Sequence, residues 1–168
     1  FQLGVKYNMQ EQLLTKRLED MAQAALASGK MVFGDFYEEH IRMLIEREIT
    51  RYEGVGVSFW GGQDFSLRQM LCVHTLSCEV APKDFPLGVL WVKAKTPLLH
   101  PQVMGALLGL GIEVGKVGDI SVLDDKVQIT VAGPLLAFVE QNLEKVDRYA
   151  VSGCAVPPEN VIRTRPNL

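Results

Sequence analysis

Two spacings of apolar residues alternate along this chain, and the places where one gives way to the other set out its elements. Leu13, Leu14, Leu18, Met21 and Ala25 recur at helical intervals, which predicts a helix over about 9–26 that ends at Ser28-Gly29. Phe36, Ile41, Leu44, Ile45 and Ile49 predict a second helix over about 36–49, with Asp35 as its N-cap. From Gly54 to Trp60 the spacing turns to alternation, a strand followed by a Gly61-Gly62 turn, and Gln69 to Leu76 reads as the next strand. Residues 77–86, punctuated by Pro82 and Pro86, form an irregular link.

Beyond that link the rhythm is regular. A strand is predicted over Leu87–Lys95 and a helix over His100–Leu110. Strands follow over about 119–123 and 126–131, joined by Asp124-Asp125 as a hairpin turn. Gly133-Pro134 opens a helix carrying Leu135, Leu136, Val139, Leu143 and Val146, and a last strand covers about Arg148–Ser152. The order β-α-β-β-α-β is the ferredoxin-like plan. The chain is therefore read as α+β. An N-terminal unit of helices and a small sheet occupies 1–82, a ferredoxin-like unit 83–152, and a polar, Pro-containing linker 153–168.

Composition narrows the chemistry. Hydrophobic residues at 48% and charged residues at 22% are those of a folded globular chain. A net charge of −3 means that any nucleic-acid contact must come from a local basic patch. Three cysteines, Cys72, Cys78 and Cys154, are odd in number and sparse, which favours a reducing, cytoplasmic setting with thiols unpaired. No apolar run approaches a membrane span. The chain does not open on Met and closes on a polar RTRPNL, so it is read as possibly a piece of a longer protein.

The densest glycine segment, HPQVMGALLGLGIEVGKVGDI from His100 to Ile120, invites a nucleotide-loop reading that its spacing refuses. A phosphate-binding loop needs glycine where Leu110 stands and Ser or Thr where Val117 stands. A dinucleotide fold would place the glycines before a helix, whereas these follow one. Cys72-x-His74-x3-Cys78 fits no common zinc spacing, so buried thiols and a satisfied histidine are the expected outcome. Asp119 is expected to serve a turn or strand-start hydrogen bond, and neither it nor His100 has a catalytic partner in the sequence. No metal or other cofactor is expected.

In the ferredoxin-like sheet Leu90, Val92 and Ala94 take the helix-covered side with Val127, Ile129 and Val131. That leaves Val89, Trp91, Lys93 and Lys95 outside with Lys126, Gln128 and Thr130. One aromatic among lysines on an open sheet is how modules of this plan stack bases and hold phosphates; the competing reading is that the first unit covers this face.

The glycine-rich block resembles the signature of the YlmH family, through His100, Gly105-Ala106-Leu107-Leu108-Gly109, Gly111-Ile112, Lys116 and Gly118-Asp119-Ile120. Gly61-Gly62 followed by Arg68, and Asp84-Phe85, extend the similarity over about 33–152. The resemblance implies a non-enzymatic, cytoplasmic, bacterial RNA-binding protein. It also implies links to ribosomal RNA or tRNA, to the large ribosomal subunit and stalled-translation rescue, and to cell-division genes, with neither DNA nor a membrane as partner. A ribosomal-protein-type alpha-L RNA-binding motif would follow Leu168. The contacts expected from this chain itself are Trp91, Lys93, Lys95, His100, Lys116 and Arg68. The alternative is a protein-docking module that does not touch RNA.

Overall fold

The structure, a computed structural model, describes residues 2–163, with side chains placed from Gln12 onward. Helix α1 (Gln2–Ser28) leads into strand β1 (Val32–Glu38), helix α2 (Glu39–Ile49) and strands β2 (Val55–Trp60) and β3 (Arg68–Thr75). The three strands form an antiparallel sheet in the order β1-β3-β2. Leu18, Met21, Ala22 and Ala25 of α1 and Ile45 and Ile49 of α2 are buried against Leu71 and Val73 of that sheet. Burial of each such Leu or Ile contributes roughly 1.5–3 kcal/mol.

Strand β1 replaces the first turn of the predicted second helix. Its backbone finds a ladder partner in β3, pairing Phe33 with Cys72 and Phe36 with Met70, and the helix starts only at Glu39. Asp35, the expected N-cap, lies inside β1. It accepts from Arg17 at 3.2 Å and from Lys116 at 2.5 Å.

The second sheet comprises β4 (Leu87–Ala94), β5 (Val117–Val122), β6 (Val127–Ala132), β7 (Lys145–Val146) and β8 (Tyr149–Ala155), in the order β5-β6-β4-β8-β7 with every pair antiparallel. Helices α3 (His100–Gly109) and α4 (Leu136–Asn142) connect β4 to β5 and β6 to β7. Leaving out the short β7, the order 8-4-6-5 is that of a split βαβ sheet, as the hydrophobic rhythm predicts. One face holds the core: Leu90, Val92, Ile120, Val127, Ile129 and Val131 pack with Val103, Leu107 and Val139 of the helices.

Two departures reshape the end of the chain. Val146, read as the last helical position, belongs to β7. Asp147, at φ 56, makes the turn into β8, a left-handed conformation that Asp tolerates better than most residues. The stretch from Gly153, read as a departing linker, extends β8 through Ala155 and then folds back over the sheet. Val156 donates to Val89 O at 2.8 Å, and Arg163 pairs with Asp64 at 2.7 Å. The remaining linker residues, 164–168, lie outside the described residues.

The two sheets share a third cluster: Phe36, Met70 and Cys72 from one side, Phe85 and Ala132 from the other. Phe33 and Phe85 meet edge to face with ring centroids 5.3 Å apart.

Candidate nucleic-acid interface

Strand register sorts the outer face of the second sheet into two halves. Residues directly opposite in an antiparallel pair point the same way, so Trp91 shares its face with Gln128 and Cys154, and Lys93 shares it with Ser152. Ser121 pairs with Gln128, Thr130 with Val89, and Lys145 with Ala150. Ser121, Gln128, Thr130 and Val89 are all buried, whereas Lys93, Lys145, Ala150, Ser152 and Cys154 are exposed. The β5–β6 half is covered and the β4–β8–β7 half is open.

What covers the first half is the N-terminal sheet and the returning chain end. Asp119 of β5 is buried and accepts hydrogen bonds from the backbone N–H groups of Leu67 and Arg68, both at 3.0 Å, and from Gln63 Nε2 at 3.3 Å. Burial raises its pKa above the usual carboxylate value, and these donors oppose the rise without cancelling it. The expected local hydrogen bond is thus a long-range one. Nearby, the Gln128 amide donates to Ile162 O and accepts from Ile162 N, each at 2.9 Å, so a side chain imitates a strand partner for the returning backbone.

Two glycines of the marker block, Gly115 and Gly118, belong to the same seam. A methyl at Gly118 would sit 2.7 Å from the Phe36 ring and one at Gly115 2.6 Å from Asp35 Oδ2. Glycine there permits two sheets to close on each other. Gly105 and Gly109, on the exposed side of α3, have nothing within 4 Å.

Four of the six residues singled out by sequence reach solvent around the open half. Trp91 is half-buried, donates its indole N–H to Gln128 Oε1 at 3.0 Å, and carries the Lys126 ammonium 4.5 Å from its ring centroid. Lys93 is exposed beside it. Lys95, also exposed, lies past the end of β4 in a small cleft with Asp124 and Asp125. His100 is half-buried at the start of α3, and Gln102, two residues on, donates to Asp147 in the β7–β8 turn at 3.4 Å.

The other two have internal partners. The Arg68 guanidinium donates to Val117 O at 2.9 Å and Val114 O at 3.0 Å and pairs with Glu38 at 3.5 Å, joining the first sheet to the approach to β5. Lys116 pairs with Asp35. These two cations, expected from the sequence to contact RNA, bridge the two sheets, where carbonyls and a half-buried carboxylate accept from them. Sequence reasoning missed Lys145, which only its assignment to β7 brings onto the open face. The clue was Asp147-Arg148 between two short alternating runs.

No metal site takes shape at Cys72, His74 and Cys78. Burial pushes the Cys72 thiol up to about 11. His74 uses both ring nitrogens, Nδ1 donating to Thr75 O and Nε2 accepting from the Ser58 hydroxyl, each at 2.9 Å. Among the described residues no helix is long and apolar enough to cross a membrane.

Residues 83–159 match the family described as "Putative RNA-binding domain in YlmH". The chain is 27% identical over 126 residues to "Ribosome-associated protein quality control protein P2" of Bacillus subtilis (strain 168), an alignment covering 73% of this chain and 49% of that one. The chain thus spans about half the length of the curated relative that it matches. Its fold is similar to that of "Cell division protein ylmH from Streptococcus pneumoniae", with a TM-score of 0.79, 19% identity, and coverage of 91% of this chain and 95% of that one. The residue signature around His100–Ile120 lies within residues 83–159, the segment that matches the YlmH RNA-binding domain.

Proposed function

We propose that the chain is a non-enzymatic, cytoplasmic RNA-binding protein acting at the ribosome, in which the open half of the second sheet contacts the sugar-phosphate backbone. The observation that carries this reading is the division of the outer face. Exposed Lys93 and Lys145 flank small exposed residues, Ala150, Ser152 and Cys154, which lets a polyanion lie close, while Trp91 with Lys126 borders the strip. His100 and Lys95 stand at its edges. Lysines placed at strand spacing hold phosphates without reading bases, which suits a structured ribosomal RNA or tRNA better than a defined sequence. The family match to residues 83–159 supports the assignment of this unit to RNA, and the relative's name supports a ribosomal setting and a role in protein quality control. A link to cell division rests on the name of the similar structure alone. The N-terminal unit through residue 82 then serves as the brace that fixes one half of the sheet and leaves the other to RNA.

The test is fluorescence anisotropy with ribosomal RNA fragments and tRNA over a salt series. Binding that weakens steeply as salt rises is expected; a chain with no affinity and no salt slope would sink the reading. A second reading, protein docking, is favoured by an apolar groove of about 530 Å³ between α3 and α4, with Leu110, Ile112 and Leu135 along it and the exposed Phe138 at its rim. Under that reading Phe138→Ser abolishes ribosome association and leaves RNA-fragment affinity untouched.

A further inference from the structure

Where the first sheet, the start of β4 and the returning chain end meet, they enclose a cleft of about 450 Å³, within the roughly 300–1,000 Å³ of small-molecule sites. Its walls are mainly apolar: Trp60 from the end of β2, Phe85 and Val89 around the start of β4, and Val156 from the chain that folds back over β4. Among the described residues its lining holds two cations, Lys83 and Arg163, and no carboxylate. Arg163 is paired with Asp64, but Lys83 is exposed and takes part in no ion pair among the described residues.

The two tryptophans differ. The indole N–H of Trp91 is spent on Gln128, whereas that of Trp60 has no protein acceptor among the described residues. An aromatic wall, an available indole donor and an excess of positive charge together select a flat heteroaromatic ring that carries an anion. Neither an aliphatic chain nor an acidic peptide would use all three features.

We propose that this cleft binds a nucleotide, its base against the apolar wall that includes Trp60 and Phe85 and its phosphate toward Lys83 and Arg163. The nucleotide could be a free mononucleotide or one unstacked residue of an RNA strand. The second source rests on the RNA reading above, with a strand passing from the open lysine face into the cleft. Val89 in the wall and Lys93 on the open half are four residues apart on β4, about 13 Å at strand rise, which a strand of two or three nucleotides can bridge.

The test follows the two indole N–H signals of the isotope-labelled chain by NMR, assigned with Trp60→Phe, during titration with nucleoside monophosphates, unphosphorylated nucleosides, inorganic phosphate and a short single-stranded RNA. A saturable shift of the Trp60 signal is expected with monophosphates, weaker with nucleosides, and weakened about tenfold by Lys83→Glu, since a charge-assisted contact to phosphate is lost. A shift with the RNA alone assigns the site to a strand, and a shift with monophosphates assigns it to the free nucleotide as well. No movement of the Trp60 signal with any of these ligands overturns the proposal. If RNA still binds through the lysine face in that case, the cleft fails alone. If monophosphates move Trp60 while Lys93→Glu leaves RNA binding unchanged, the lysine-face reading fails alone.

Discussion

Arg68 is joined twice to the strand that carries Asp119, by different parts of the same arginine. The Arg68 backbone N–H donates to Asp119 Oδ1 at 3.0 Å, while its guanidinium reaches Val117 O, two residues before the aspartate, at 2.9 Å. Charge is used here to satisfy buried backbone groups. Arg68→Met should lower stability in urea denaturation by about 1–3 kcal/mol, the cost of unpaired buried acceptors. RNA affinity of the folded variant should stay at the wild-type value, and a selective loss of RNA binding would return Arg68 to the interface.

The aspartate adds a pH signature. Its folded-state pKa lies above the ordinary carboxylate value, so the folded chain holds that proton more tightly than the unfolded chain. Asp119 therefore contributes more to stability as pH falls through the raised value toward the unfolded value of 3.8, and less as pH rises. Asp119→Asn turns one acceptor into a donor facing backbone N–H groups and should destabilise by about 1–3 kcal/mol near neutral pH. The deficit should widen in denaturation measured at about pH 4.5; a deficit that shrinks on acidification contradicts the buried-carboxylate account.

Two alanine substitutions in the glycine-rich block should act in opposite directions. Gly118→Ala places a methyl against the Phe36 ring, which is buried and cannot move aside, and should cost about 1–3 kcal/mol of strain. Gly105→Ala meets open space on a helix and should stabilise by up to about 1 kcal/mol. Thermal melts of the pair decide whether the block marks a packing seam.

Charge reversal on the open face should separate binding from folding. Lys93→Glu and Lys145→Glu should each lower the slope of log affinity against log salt by about 1–2 and leave the melting temperature nearly unchanged, because both side chains are exposed. Lys116→Met should do the reverse, leaving Asp35 with Arg17 as its one cation among the described residues and loosening the seam while RNA affinity is preserved.

The sequence disclosed what periodicity can carry. The second sheet's element order, its helix-covered residues and its strand pairs follow from alternation and helical spacing read within windows of a few residues. Strand β1 was illegible because Phe36 satisfies a helical stripe as well as a strand face, and only pairing with β3 decides between them. Strand β7 is two residues long, too short for any pattern. The internal partners of Arg68 and Lys116 were hidden for another reason: a cation looks alike in sequence whether or not a carbonyl or carboxylate from elsewhere in the chain lies beside it. Lys93 and Trp91 were legible because strand alternation alone decides their side. Covering of this face by the first unit was the competing reading; that Gln128 and Thr130 are covered while Lys93 stays open was not legible, since the residues that cover them lie far away in sequence.

The reciprocal pair between Gln128 and Ile162 fixes the path of the chain after β8. A chain that left from the end of β8 would swing as a loose tether; here it is moored across the sheet and pinned again where Arg163 meets Asp64. The described chain is therefore held beside the first sheet as far as Arg163. Gln128→Ala would release both the Ile162 backbone and the Trp91 indole N–H, slackening the returning chain where it crosses the sheet.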